Sequence, residues 1–165
     1  MIENKTWYRE ANQLCILWSE QSGYSVPQIA STIAVLSPLV LWSQNLKWAN
    51  NILKDQNTKC LGLQANHDKA LRILNGESIN TVLKGNKVKS FFACILRPHC
   101  NSVVIDRHML KIVQWPKSTI TSKQYFSIAD KVAKRAKFYH LPIPEYQALV
   151  WLWQRGDLKQ LTFSY

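Results

Sequence analysis

The sequence is poor in acidic residues, in long apolar runs and in patterned cysteines, and each shortage removes a class of protein. No window reaches the roughly 18 successive apolar residues that a membrane-spanning helix requires, although 47% of the residues are apolar. The opening "MIENKTWYRE" carries charges where a secretory leader would place its apolar stretch. A cytoplasmic chain with no membrane partner is expected. The four cysteines, Cys15, Cys60, Cys94 and Cys100, form no CxxC pair and no regular framework. They read as reduced thiols of a reducing compartment. Cys94, His99, Cys100 and His108 have the chemistry of zinc ligands. Cys94, however, lies inside the apolar run "SFFACIL", so no metal site is expected. Repeats, low-complexity tracts and linkers are missing too, which leaves one domain over residues 1–165.

The shortage of acid is the informative one. Only 10 Asp and Glu stand against 21 Lys and Arg, a net charge of +11 with a pI near 9.7. Such an excess on a small domain suits a polyanionic partner. A membrane surface would want the charge gathered on one amphipathic helix, and no segment does so. Nucleic acid is the expected partner.

What is present is helical periodicity. Trp7, Ala11, Leu14 and Trp18 recur on one face of a first helix that stops near Gly23. "SVPQIASTIAVLSP" opens with Ser25 three residues before Gln28, a capping-box pattern with Pro27 in the first turn, and stops before Pro38. Trp42, Leu46, Ala49 and Leu53 stripe a third helix, and Ala70, Leu71 and Leu74 a fourth that ends at Gly76. Trp7, Trp18, Trp42 and Trp48 read as core on this spacing. A helical turn over 78–83 leads to Gly85. Val88, Phe91, Phe92 and Ile95 then define a buried helix that breaks at Pro98. A short extended run, Val103 to Ile105, precedes Asp106 at a helix N-cap. Ile128, Ala129, Val132, Ala133 and Ala136 mark a longer helix, and Pro144 opens a last one through Arg155. About eight short helices without paired strands predict a compact all-α bundle.

Two short segments carry candidate chemistry. Residues 78–96 have the order helix, glycine turn, helix. The N-terminus of the second helix offers free backbone N–H groups to a phosphate, with Asn86, Lys87 and Lys89 around it. An amine in the first turn of a helix meets the positive end of the macrodipole, which favours the neutral, nucleophilic form. A neutral amine can form a Schiff base. Asp106 follows three apolar residues and precedes "RHMLKIV". At an N-cap it accepts backbone N–H bonds. Aimed into a cleft, a carboxylate there could stabilise a cationic sugar or move a proton.

"GNKV" followed by "IDRHM", with Lys87 and Asp106 nineteen positions apart, resembles the helix-hairpin-helix DNA glycosylase superfamily. The lysine–valine pair, the spacing and the "DxHM" order are most similar to its 8-oxoguanine DNA glycosylase/AP lyase branch. "QALVW" (147–151) is similar to that branch's final helix, which puts Gln147 and Trp151 one helical turn apart on one face. The resemblance covers residues 81–114 and 144–155, and it implies two helical lobes around a cleft. It implies that Lys87 is the Schiff-base nucleophile and that Asp106 stabilises the sugar cation. Gln147 would read the base edge, Trp151 would stack on the base, and Phe91 would face it from the other side. Gly85, Asn86, Lys89, Arg107 and His108 would hold the DNA backbone. No cofactor is expected; a structural monovalent cation at the hairpin is the one ion the resemblance allows. The expected partner is double-stranded DNA with a damaged or modified base, met by a monomer.

The chain departs from the family pattern in places. Gly85 is the one hairpin glycine in that register, and laying "LKGNKVK" on the hairpin from Leu83 makes Lys89 the nucleophile instead. The family's additional N-terminal β domain and the four-cysteine run of its iron–sulfur members are both lacking, so this would be a minimal version. Two other readings stay open. One is an enzyme of this fold that modifies a base without excising it, such as a transferase building hypermodified thymine in phage DNA. The other is a non-catalytic DNA-binding module.

Overall fold

Nine helices, and no strand, occur among the described residues of the computed structural model, which are 7–59 and 62–156. They are α1 (Trp7–Ser22), α2 (Val26–Leu36), α3 (Trp42–Lys54), α4 (Gln64–Leu74) and α5 (Ile79–Val82), then α6 (Asn86–Leu96), α7 (Arg107–Ile112), α8 (Ser122–Phe138) and α9 (Ile143–Arg155). The all-α class expected from periodicity is therefore borne out. No helix among the described residues is long and apolar enough to cross a membrane. Cys60, read above as a reduced thiol, lies outside the described residues.

α2 is the central rod. Every residue from Ile29 to Leu36 is buried, because α1, α3, α4 and α6 all pack around it. Its start is the capping box expected from the sequence: Ser25 Oγ accepts from Gln28 N, and Ser25 N donates to Gln28 Oε1. The Gln28 amide also donates to Ile73 O at 3.1 Å, so the cap joins α2 to the end of α4. Such a rod must be apolar on all sides. Its polar exceptions, Ser31 and Thr32, are fully buried, and Ser31 Oγ returns its proton to Pro27 O at 2.7 Å. Truncating Ile33 to Ala would cost about 2–5 kcal/mol, the range for a large-to-small change in a packed core.

α1 turns its small residues inward. Tyr8, Ala11 and Cys15 are its buried positions, while Trp7 and Trp18 pack half-buried at the edge of the core. The face is rotated from the one the tryptophans suggested. Trp42 and Trp48 likewise pack half-buried against the same core.

The apolar residues form two clusters. The larger joins α1–α6, Val104 and Ala148 of α9; the smaller joins Val103, Ile105, α7 and α8, with Ile143, Tyr146, Val150 and Trp151 of α9 packed on it. The extended run Val103–Ile105 lies between them, buried but unpaired as a strand. Tyr125 of α8 supplies what a neighbouring strand would. Its hydroxyl donates to Val103 O at 2.8 Å and accepts from Ile105 N at 3.2 Å. This clamp delivers Asp106 to the boundary between the clusters.

Candidate functional site

Asp106 ends the clamped run and caps α7. Its Oδ1 accepts from His108 N and Met109 N, both at 2.9 Å. Its Oδ2 accepts from the Trp151 indole Nε1 at 2.8 Å. Both carboxylate oxygens are thus held, one by α7 and the other by α9. The side chain is half-buried, and its orientation is set by three N–H donors.

Trp151 is surrounded on several sides. The Arg155 guanidinium lies 4.5 Å from the ring centroid, a cation–π contact one helical turn on. The His108 ring meets it edge-on, with centroids 5.9 Å apart. Partial burial is the main cause that lowers the His108 pKa below its ordinary value; the Asp106 carboxylate opposes it, and Arg107, Arg155 and Lys111 add to it. His108 is therefore neutral at pH 7. Arg107 is exposed, with its Nε 3.5 Å from His108 Nε2.

Gln147 sits one turn before Trp151 and is 4% exposed. Its Oε1 accepts a bond from the Tyr8 hydroxyl at 2.8 Å, across 139 positions of chain. Burial is the main cause that raises the Tyr8 pKa well above the ordinary phenol value, and the Asp106 carboxylate adds to it. Tyr8 is a permanent donor here. In this structure, then, Gln147 is engaged with Tyr8 and Trp151 with Asp106.

Phe91 joins an aromatic group with Trp7, Tyr8 and Trp42, its centroid 6.0–6.4 Å from each of theirs. Through the buried Tyr8 that group meets the buried Gln147. Lys87 is one turn before Phe91 on α6 and so shares its face. Lys89 points about 200° away from it. Both lysines are exposed, so burial does not choose between the two registers.

The turn into α6 is short. α5 ends at Val82, and Gly85, with φ +78°, caps α6. A Cβ at Gly85 would meet nothing within 4 Å; the backbone angle, not space, favours glycine there. Asn86 Nδ2 donates to Ser122 Oγ at 3.2 Å, which brings the N-terminus of α8 beside that of α6. Lys84, Lys87 and Lys89 around the α6 N-terminus and Lys123 in the first turn of α8 are all exposed.

Several contributors were not legible beforehand. Tyr8, Tyr125 and the buried Glu145, which pairs with Arg9, carry no local motif. Neither does Leu39, which is 87% exposed and holds φ +63° in the α2–α3 connection. Among the described residues no three His, Cys, Asp or Glu side chains gather as a metal-binding group.

These features define an all-helical protein with a carboxylate fixed at the seam of two apolar cores and a basic turn on the adjoining helix. The chain belongs to a family of unknown function, DUF7178, whose model matches residues 2–158. No curated protein matches it, and no solved structure does.

Proposed function

We propose that the protein is a base-excision DNA glycosylase with AP lyase activity, excising an oxidised purine such as 8-oxoguanine from double-stranded DNA. The observation that carries this reading is the Asp106 carboxylate, oriented by three N–H donors beside an aromatic-lined seam. A helix cap needs one carboxylate oxygen. Fixing the second from another helix suits a charge that must stand at a set place when a sugar cation develops.

The partner is supported by charge. Lys84, Lys87, Lys89 and Lys123 surround two helix N-termini, an arrangement that favours phosphate. Leu39 supports a duplex that is opened. A bulky residue with positive φ is strained, and strain of this kind gathers at functional sites. An exposed apolar wedge of this sort unstacks base pairs. The damaged nucleotide would be flipped toward the seam between the two apolar clusters, the cleft of this reading. Stacking on Trp151 would use the face away from Arg155 or displace that guanidinium.

In the reaction, the Lys87 amine attacks C1′ of the sugar. The C1′–N bond breaks with its electron pair on the departing base, which takes up a proton. Asp106 stabilises the cationic sugar meanwhile. Opening of the sugar ring then gives the lysine Schiff base, and loss of a C2′ proton expels the 3′ phosphate. Lys89 takes the same part in the shifted register. The exposure of both lysines favours one second reading, an enzyme of this fold that keeps Asp106 and modifies a base without excising it.

Borohydride trapping on duplexes carrying a panel of oxidised and modified bases tests the proposal. A covalent adduct with strand cleavage supports excision. A mass change on the base without cleavage supports modification instead. Binding with neither outcome reduces the protein to a DNA-binding module, and no binding at low salt removes all three.

A further inference from the structure

Cys94 and Cys100 are six positions apart, yet their sulfurs lie 3.8 Å from each other. Cys94 is fully buried in α6. Its thiol also faces Ser102 O at 3.5 Å. Cys100 sits beyond the helix end, in a turn closed by Cys100 N donating to Arg97 O at 2.9 Å, and it is half-buried. The 96–102 segment walls an open depression of about 820 Å³ that reaches Cys100 from solvent. Cys100 thus lines the depression, and the sulfur of the fully buried Cys94 lies 3.8 Å from its own.

We propose that Cys94 and Cys100 form a peroxide-sensitive dithiol, in which Cys100 is oxidised first and Cys94 resolves it to an intramolecular disulfide. The Cys100 thiolate attacks the hydroperoxide oxygen, and the O–O bond breaks. Cys100 becomes a sulfenic acid, and the peroxide leaves as water or alcohol after taking up a proton. The Cys94 sulfur then attacks the Cys100 sulfur and expels hydroxide, which leaves as water with the Cys94 proton. Two thiols and one hydroperoxide give one disulfide, one water and one water or alcohol.

The surroundings suit this division of labour. The hydrogen bond between the two sulfurs is the main cause that lowers the Cys100 pKa to about 6; Ser102 and the Arg97 guanidinium assist, against partial burial. Cys94 shifts the opposite way, chiefly through that same bond and then through burial, and stays protonated. A disulfide needs the sulfurs to close from 3.8 Å to roughly 2.05 Å.

The test uses the full chain and needs no DNA, so it stands apart from the glycosylase reading. Trypsin does not cut between Arg97 and Pro98, so both cysteines fall in one peptide, residues 90–107. After stoichiometric hydrogen peroxide and alkylation without reductant, that peptide should lose two hydrogens and carry no alkyl group. In Cys94→Ser, Cys100 should stop at the sulfenic acid and be captured by dimedone, which wild type should escape. Cys100 passing to sulfinic acid with Cys94 still a thiol would overturn the proposal. So would disulfides to Cys15 or Cys60, or equal dimedone capture in wild type and variant. If Cys94→Ser loses its cooperative thermal transition, the wild-type peptide mass alone decides.

Discussion

Replacing Asp106 by Asn separates its role as a cap from the catalytic role proposed for it. Asn is as good an N-cap as Asp, so its Oδ1 can keep the bonds from His108 N and Met109 N. Its amide nitrogen then stands where Oδ2 accepted the Trp151 indole at 2.8 Å. Two donors face each other there, and one charge-assisted bond, worth about 1.5–3 kcal/mol, is lost. Trp151 is half-buried, so water recovers part of that, and the net cost should be about 1–2 kcal/mol. At about 2–4 °C per kcal/mol for a chain of this size, thermal unfolding should fall by about 2–8 °C. Adding Trp151→Phe removes the opposing N–H, so the double variant should be no less stable than Asp106→Asn alone. On the proposed mechanism, in which Asp106 stabilises the sugar cation, excision should fall by about 10²–10³-fold or more, while duplex binding is kept. Calorimetry, a binding isotherm and single-turnover excision read the three quantities. Excision within a few-fold of wild type would make Asp106 a cap and a strut only.

The other outcomes follow from the same geometry. Lys87→Gln should abolish the borohydride adduct and strand cleavage, while Lys89→Gln should weaken all duplexes alike and flatten the salt slope by about one unit; the reverse pattern assigns the shifted register. The log–log salt slope of duplex binding should be about −5 to −7, as for six to eight phosphate contacts, and a slope near zero would refute a phosphate-driven interface. Tyr8→Phe strands the buried Gln147 carbonyl and should cost about 1–3 kcal/mol in a denaturant titration; no change would mean that Gln147 repartners freely. Iodoacetamide should alkylate Cys100 with a rate that rises through pH about 6 and levels above it, because the thiolate is the reactive form; a rate still climbing at pH 8.5 would show an ordinary thiol.

Local signals in this sequence translated well. The Ser25–Gln28 box, the Asp106 cap and the α9 start at Pro144 each depend on neighbours within a few positions, where residue type and spacing are sufficient. The equivalent box of α8, Thr121 with Gln124, was there to be read by the same rule. What stayed hidden was long-range and polar. Tyr8 meets Gln147 across 139 positions and Trp151 meets Asp106 across 45, and neither pairing leaves a periodic trace. The α1 face is rotated for a related reason: indoles dominate a hydrophobic pattern, but the buried positions are Tyr8, Ala11 and Cys15.

The candidate site shows why a motif alone could not settle its own meaning. Asp106 as a cap and Asp106 as a reacting group look identical in the string "IDRHM". The structure distinguishes what each oxygen does: one serves α7, and the other is held by an indole from α9. The same bond ties Trp151 down by its edge, while Arg155 covers a face. Stacking a base on this tryptophan and orienting the carboxylate are therefore linked. A ligand that displaces Arg155 leaves Trp151 Nε1 in place and the Asp106 carboxylate aimed; one that rotates the indole releases both. Trp151→Phe makes the distinction measurable, because phenylalanine can stack but cannot hold Oδ2. If base binding survives in that variant and turnover drops, the indole acts on the reaction by orienting Asp106. If base binding and turnover fall together, the ring is the platform.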